Sequence, residues 1–289
     1  MKKMNKTETL LLLTKLGIQP KKSLGQNFLI DENVTKNILQ KANINHSDTV
    51  LEIGPGLGAL TAEIVKVAKN LYAYEIDSIL FKYLQEQYGL YANLKLFNSD
   101  ILEVELPQYN KVVANIPYTI TGPLFEKVFY INNPPKGTLI IEKKIADRIF
   151  KPKNYKNFSR VSIMFNTFME PIEQHTISSS AFYPVPKIKL SLIQIEPKKK
   201  IDSFLLQQDT KIFFSKIIQG IMPYKNKNLV NALTLFFENT LHIKNLKQRI
   251  LQLLNEHGIQ DEKFAYFDID DFLNLSKIIW KYITELNQG

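Results

Sequence analysis

From residue 49 onward, short apolar runs alternate with longer segments whose apolar residues recur at helical spacing. A short apolar run predicts a buried strand, and apolar positions three and four apart predict an amphipathic helix. Strands are predicted in this way over residues 49–53, 71–75, 94–98, 112–115 and 138–141. Helices are predicted between them, over residues 58–69, 78–87 and 121–130. This alternation indicates βαβ units, so the expected fold class is α/β, a mostly parallel sheet with helices on both faces.

The two ends of the chain carry different patterns. The first 22 residues predict a basic arm with a short helix, and residues 31–42 predict a helix with Asp31 as its N-cap. A further strand is predicted over residues 188–195, and the proline and three lysines at 197–200 are typical of a linker. Residues 201–289 show helical spacing and predict a small all-α domain. The predicted domains are therefore residues 1–197 and 201–289.

Functional residue types follow three of the predicted strands. A turn with Gly54, Gly56 and Gly58 comes after the first strand, Glu75 ends the second, and Asp100 follows the third. Open α/β sheets bind ligands at the carboxyl ends of their strands. Glycines let the backbone approach a ligand, Glu75 can accept hydrogen bonds from two ribose hydroxyls, and Asp100 can accept one from an adenine amine. The pattern predicts a nucleoside cofactor site. The alternatives are a plain structural turn for the three glycines, a solvated strand-end acid for Glu75, and a helix N-cap or turn residue for Asp100.

The sequence Asn115-Ile116-Pro117-Tyr118 follows the fourth predicted strand. The N6 nitrogen of adenine is a poor nucleophile because its lone pair is delocalised into the ring. The Asn115 side-chain oxygen and the carbonyl of Ile116 or Pro117 can each accept one N–H and favour a tetrahedral nitrogen. Tyr118 can stack on the base and stabilise the positive charge that develops. We therefore predict methyl transfer to an exocyclic nitrogen, with Asn115 and Tyr118 as catalytic residues; the alternative is a proline turn beside a core tyrosine.

Phe182 is a second candidate for contact with the substrate. It precedes a rigid Pro184-Val185-Pro186 bend, and we expect its ring to cover the other face of a base flipped out of an RNA stack. The alternative is a phenylalanine of the hydrophobic core, because the chain contains 18 phenylalanines.

Composition indicates which partners and which kinds of site the protein can have. The net charge of +9 favours a polyanion such as nucleic acid, with solubility as the alternative, and basic residues concentrate in segments 2–22, 143–160 and 198–200. The chain has no cysteine, which excludes disulfides and thiolate catalysis. The four histidines show no metal-site spacing, so no metal is expected. No apolar run is long enough for a signal peptide or a membrane span, so we expect a cytoplasmic protein.

Four sequence segments give the chain a family resemblance over residues 15–195. They are Lys22-Ser23-Leu24-Gly25-Gln26-Asn27-Phe28-Leu29, the segment from Val50 to Gly58, Asn115-Ile116-Pro117-Tyr118, and Ala181-Phe182-Tyr183-Pro184-Val185-Pro186-Lys187. In this order they resemble the small-subunit ribosomal RNA adenine-N6,N6-dimethyltransferases. The resemblance implies a Rossmann-like class I methyltransferase sheet, followed by a helical C-terminal domain that contacts RNA or the ribosome.

The resemblance also implies a cofactor and a substrate. The cofactor would be S-adenosylmethionine, held by Asn27, Leu29, Gly54, Glu75, Asp100 and Asn115. The RNA base would be contacted by Ile116, Pro117, Tyr118 and Phe182. The substrate would be two adjacent adenosines in the 3′-terminal hairpin loop of small-subunit rRNA, each methylated twice within an immature subunit, and the enzyme would act as a monomer.

Two other functions share these motifs. Large-subunit rRNA adenine-N6 methyltransferases of the macrolide-resistance type carry most of the same residues on a different acceptor RNA. A non-catalytic ribosome-assembly or transcription factor built on the same fold is the second alternative. Loss of catalysis would be expected to alter Gly54, Glu75 or Asn115, and all three are present.

Overall fold

A computed structural model describes residues 5–151, 159–264 and 267–286. Parts of two predicted basic segments, residues 2–4 and 152–158, lie outside the described residues. The chain divides into two compact units: Met1–Phe150 with Met169–Pro197, and Lys151–Phe168 with Lys198–Gly289. The predicted division near residue 197 corresponds to one of these boundaries, but residues 151–168 group with the second unit rather than with the sheet.

A seven-stranded mixed sheet organises the first unit. Its strand order is β4-β3-β2-β5-β6-β9-β7. The members are β2 (Thr49–Ile53), β3 (Asn70–Glu75), β4 (Leu94–Asn98), β5 (Lys111–Asn115), β6 (Lys136–Glu142), β7 (Met169–Ile177) and β9 (Leu190–Pro197). Strands β2 to β6 run parallel, and β9 is antiparallel to both β6 and β7. A separate two-stranded sheet pairs β1 (Phe28–Leu29) with β8 (Phe182–Tyr183).

The described part of the first unit contains six α-helices. They are α1 (Lys6–Lys15), α2 (Glu32–Ala42), α3 (Thr61–Val67), α4 (Ser78–Tyr88), α5 (Thr121–Val128) and α6 (Lys143–Phe150). Asp31 caps α2, as predicted, by accepting hydrogen bonds from the backbone N–H groups of Asn33 and Val34. Helix α3 begins three residues later than predicted, because Gly58 adopts a φ of +82° that a helix does not allow.

Strand register brings the predicted site residues to one edge of the sheet. Ile53 of β2 pairs with Tyr74 of β3 and Ala114 of β5, one residue before Gly54, Glu75 and Asn115 respectively. Buried apolar side chains of the sheet and its helices pack together in one cluster; among its members are Ile38, Val50, Leu71, Val113 and Ile140. The sheet therefore fixes the polar strand ends on a packed base.

The second unit is helical, as predicted for residues 201–289. Its described helices are α7 (Arg160–Phe168), α8 (Gln208–Ile221), α9 (Leu229–Thr240), α10 (Lys247–Glu256) and α11 (Ile269–Leu286). Helix α7 contacts α8 and α11, which explains why it groups with this unit. The pattern of the sequence did not predict α7, because every residue from Ser162 to Phe168 is buried and the helix has no polar face along most of its length.

Candidate active site

A cavity of about 190 Å³ opens at the carboxyl ends of the parallel strands. Residues from five connecting segments form its wall. They are Ser23, Leu24, Gly25, Gln26, Asn27, Phe28, Ile53, Gly54, Gly56, Tyr74, Glu75, Ile76, Leu80, Ser99, Asp100, Ile101, Asn115, Pro117, Thr119 and Ile120. Six of the ten predicted site residues belong to this wall: Asn27, Gly54, Glu75, Asp100, Asn115 and Pro117.

The glycine loop is shaped by backbone angles that favour glycine. Gly54, Gly56 and Gly58 all have positive φ, between +61° and +82°. A Cβ atom on Gly56 would lie 3.2 Å from the ring of Phe28, and one on Gly58 would lie 2.6 Å from the ring of Tyr88. Larger residues at these positions would therefore strain the backbone and displace aromatic rings that pack against the loop.

Glu75 is a buried carboxylate whose donors, among the described residues, are backbone N–H groups. It is 4% exposed, and its two oxygens accept the N–H groups of Gly56, at 3.0 Å, and of Asp77, at 2.9 Å. Burial raises the pKa of the Glu75 carboxyl above its usual range, and the backbone hydrogen bonds offset only part of that effect. Each carboxylate oxygen has a second lone pair, so Glu75 retains capacity to accept hydroxyl donors from a ligand.

A second buried acid lies beneath the glycine loop. Glu52, on β2, is 1% exposed, and its Oε2 accepts a hydrogen bond from the Thr61 hydroxyl at 2.8 Å. Burial raises the pKa of Glu52 to about 8, so the group is predominantly neutral at pH 7. Because Thr61 is the first residue of α3, this contact ties the start of the helix to the strand that precedes the loop.

Asp100 and two isoleucines form the far wall of the cavity. Asp100 Oδ1 accepts the Leu102 N–H at 2.9 Å. Asp100 therefore stabilises a turn, which is one of the alternatives predicted for it from the sequence. No residue in the described part of the chain donates to its Oδ2, which remains available to a ligand amine. Ile76, half exposed, and the buried Ile101 contribute apolar surface to the same wall, suited to a flat aromatic ring.

The segment from Asn115 to Tyr118 begins at the end of β5. Asn115 Nδ2 donates to the Asn27 carbonyl at 2.9 Å, which turns Asn115 Oδ1 into the free acceptor of that side chain. The Ile116 N–H donates to Ile140 on β6 at 3.0 Å and fixes the backbone at this point. The Pro117 carbonyl accepts the Ile120 N–H at 3.2 Å, whereas no described residue donates to the Ile116 carbonyl. Of the two carbonyls considered from sequence, that of Ile116 is the available one.

This chain is similar to a known family of proteins. A family model for ribosomal RNA adenine dimethylase matches residues 17–280. The chain belongs to the ribosomal RNA adenine dimethylase family. Members of this family use S-adenosylmethionine as methyl donor, so the expected enzyme class and cofactor are confirmed.

Curated relatives support this family membership, and solved structures share the fold. The chain is 32% identical over 282 residues to ribosomal RNA small subunit methyltransferase A of Oceanobacillus iheyensis, covering 94% of each chain. A dimethyladenosine transferase from Plasmodium falciparum has a similar fold, with a TM-score of 0.71 at 24% identity, over 88% of this chain and 96% of the other. The 23S rRNA methyltransferase ErmE has a TM-score of 0.59, also at 24% identity, over 87% and 99%. The predicted class I methyltransferase fold is confirmed.

Four predicted site residues of this dimethylase lie away from the cavity wall. Phe182 is 1% exposed and packs in the core cluster with Leu29, its partner in the β1–β8 pairing. The ring of Phe182 is thus enclosed by apolar side chains, as the core alternative expects, and contact of Phe182 with a flipped base stays a prediction. The side chains of Leu29 and Ile116 are also buried, which leaves only their backbone atoms for a ligand. Tyr118 is partly exposed and flanks Gly25, where a Cβ would lie 3.6 Å from its ring.

Sequence reasoning missed several residues of the site. Phe28 packs on the glycine loop, and Ile76, Ile101, Thr119 and Ile120 complete the wall. Ile76 and Ile101 directly follow the predicted acids Glu75 and Asp100, and this adjacency was the signal available in the sequence. Among the described residues, no group of three or more histidines, cysteines or acids could hold a metal ion, and no described helix is long and apolar enough to cross a membrane.

Proposed function

We propose that this protein transfers methyl groups from S-adenosylmethionine to N6 of two adjacent adenosines in the 3′-terminal hairpin loop of small-subunit rRNA. Each adenosine receives two methyl groups during assembly of the subunit. The observation that carries the proposal is the Asn115 side chain at the cavity wall, followed in the chain by the Ile116 carbonyl, because no described residue donates to Asn115 Oδ1 or to that carbonyl. The extensive similarity to a small subunit methyltransferase over 94% of both chains supports the choice of RNA.

The cavity fits the cofactor of the family. Glu75 accepts the ribose hydroxyls, Asp100 accepts from the adenine amine, and the apolar surfaces of Ile76 and Ile101 cover the adenine ring. Gly54 and Asn27 border the rest of the cofactor. A buried carboxylate without a cation, as Glu75 is, suits a ligand that offers hydroxyl donors. When bound, S-adenosylmethionine supplies an electrophilic methyl group.

The residues at the target slot prepare the acceptor nitrogen. Asn115 Oδ1 and the Ile116 carbonyl each accept one N–H of the adenine amine, which moves its lone pair out of conjugation with the ring. Pro117 has a fixed φ, so the carbonyl before it is held in place before the substrate arrives. Tyr118 stacks on the base and stabilises the developing positive charge. No general base is needed before transfer, because the proton leaves afterwards from a strongly acidic cation.

The protein acts as a cytoplasmic monomer, and its basic segments and helical second unit contact the RNA backbone. A net charge of +9 supports this role, since counterion release dominates the affinity of such surfaces for RNA. Only three arginines are present, so most contacts are lysine–phosphate contacts that position the RNA rather than read its bases.

Two measurements on the same strains test the choice of substrate. Primer extension on rRNA from a strain that lacks this protein should show loss of the two methylated adenosines near the 3′ end of the small-subunit rRNA. Purified protein should restore them on immature small subunits and leave large subunits unmodified. Methylation of large-subunit rRNA instead would transfer the proposal to the macrolide-resistance type, and no methylation of either subunit would favour a non-catalytic factor.

A further inference from the structure

A short segment before β1, residues 21–27, covers the cofactor cavity. We call it the cover segment. Its residues 23–27 form part of the cavity wall, and the Asn27 carbonyl accepts the hydrogen bond from Asn115. Gly25 lies against the target slot, where a Cβ would be 3.3 Å from Pro117 Cβ. The position of this segment therefore sets both the opening of the cavity and the orientation of Asn115.

A buried carboxylate, Asp77, also holds the cover segment. Asp77 Oδ2 accepts a hydrogen bond from Lys21 Nζ at 2.9 Å and another from Gln26 Nε2 at 3.3 Å. Gln26 Oε1 in turn accepts the Lys21 N–H at 2.8 Å, which closes the segment on itself. Asp77 is 5% exposed and lies two residues after Glu75 in the chain.

The two oxygens of Asp77 serve separate structures. Oδ1 accepts the N–H groups of Ile79 and Leu80 and caps α4, while Oδ2 faces the cover segment. A neutral amide at this position keeps one acceptor oxygen for the helix cap but loses the charge that holds Lys21. The arrangement therefore allows the cap and the contact with the segment to be separated by mutation.

We infer that Asp77 is a positioning residue: through Lys21 and Gln26 it holds the cover segment closed over the cavity and limits the rate at which the cofactor leaves. The inference rests on the cofactor half of the proposed function and is independent of which RNA is methylated. Opening requires two hydrogen bonds to a buried charge to break, and bonds of this kind are stronger than neutral ones. Once the segment opens, one wall of the cavity is removed and the Asn115 contact with Asn27 is lost.

Stopped-flow release of S-adenosylhomocysteine tests this inference without RNA. Lys21→Met, Gln26→Ala and Asp77→Asn should each raise the dissociation rate, by about threefold for the half-exposed Lys21 and about tenfold for the partly buried Gln26 and the buried Asp77. Lys21→Arg should retain the parent rate. Lys15→Met is the matched control, because Lys15 is exposed on α1 and lines no part of the cavity; it should leave the rate unchanged.

The dissociation rates of the variants, taken together, distinguish an effect on closure of the cover segment from a general loss of protein stability. In a double-mutant cycle, Lys21→Met in the Asp77→Asn background should add little, because both changes remove the same contact. The KM for S-adenosylmethionine should rise in Lys21→Met, while kcat at saturating cofactor stays within twofold of the parent. If the three variants release the cofactor at the rate of Lys15→Met, or if their effects simply add, the inference is wrong. Failure of RNA methylation with these release rates as expected would count against the proposed substrate alone.

Discussion

Buried carboxylates at the two ends of the parallel strands are treated in opposite ways. At the amino ends, Asp48 precedes β2 and lies 3.0 Å from Lys111 Nζ, with further hydrogen bonds from Asn110 and the Asn45 N–H. Burial acts to raise the pKa of Asp48, but these hydrogen bonds and the cation outweigh burial and hold the pKa below its usual range. The charge at this edge is thus compensated within the protein.

Glu75, at the carboxyl ends, has no such compensation. It is as deeply buried as Asp48, yet among the described residues no cation lies within ion-pair distance of it. Its pKa is raised by burial and, to a smaller extent, by the neighbouring charge of Asp77. The two edges therefore differ in role. Polar groups at the amino ends hold strands together, whereas the carboxyl ends keep a carboxylate available for ligand hydroxyls, which lowers the stability of the fold.

Asn115→Ala should have the largest effect on activity. It removes an acceptor that contacts the amine mainly as the nitrogen becomes tetrahedral, together with the contact to Asn27. We expect single-turnover methyl transfer to immature small subunits to slow by about 10²- to 10³-fold, comparable to the loss of one oxyanion-hole group.

Tyr118 supplies the companion variants for that experiment. Tyr118→Ala should slow transfer by about one to two orders of magnitude, the effect of losing one stacked base contact, while Tyr118→Phe retains the ring and most of the rate. Filter binding of the same RNA should change little in all three variants, because backbone charge provides most of the affinity. Parent rates in both Asn115→Ala and Tyr118→Ala would show that this segment is not the target slot.

Lys111→Met tests the amino-end edge of the sheet, where Lys111 and Asp48 form an ion pair. The side chains of Lys111 and Asp48 are 12% and 4% exposed, so removing the cation leaves a buried charge without its partner. We expect a loss of about 3 kcal/mol in the free energy of unfolding, measured by denaturant titration. Lys66→Met is the matched control in an exposed pair with Glu63, and should change stability by less than about 0.5 kcal/mol. Equal effects of the two variants would remove the contrast between the edges.

The sheet and most of the cavity could be predicted from sequence because their signals are local. Strands β2 and β4 were predicted without error and β3 and β5 to within one residue, since each is an apolar run bounded by turns. Gly54, Glu75, Asp100 and Asn115 could be placed together because parallel strands bring their carboxyl ends to one edge.

What sequence could not predict depends on distant contacts. Lys21 and Asp77 are 56 residues apart, and nothing local indicates that they meet. Phe182 next to a proline bend fits a binding surface and a core equally well, and its burial depends on the pairing of β8 with β1, which no local pattern indicates. Helix α7 escaped prediction for a similar reason, because burial on all sides hides its period.

Glu75→Ala should weaken the binding of the cofactor rather than the stability of the fold. Losing a charged acceptor for two hydroxyls costs about 1.5–3 kcal/mol, or roughly 10- to 150-fold in the dissociation constant of S-adenosylhomocysteine by calorimetry. Asp48→Asn serves as the matched change at the other edge: it should lower stability and leave the dissociation constant of the folded protein unchanged. Unchanged binding in Glu75→Ala would remove this residue from the cofactor site.

The smallest expected effect is a difference in pH response between the two edges. Because the folded-state pKa of Glu75 is raised, its carboxylate begins to protonate at a higher pH than a solvent-exposed glutamate, and a protonated Glu75 accepts hydroxyls less well. As pH is lowered, affinity for S-adenosylhomocysteine should therefore begin to fall at a higher pH than protonation of a solvent-exposed glutamate would cause, by at most about tenfold per pH unit for one proton. Asp48 has a lowered pKa, so the stability from its contacts is present above the unfolded-state pKa and is lost only as pH falls through the lower folded-state value. Cofactor binding should thus weaken at a pH where the fold is still intact. Glu75→Gln should bind more weakly at neutral pH but lose this pH dependence, and a dependence that persists in Glu75→Gln would assign it to another group.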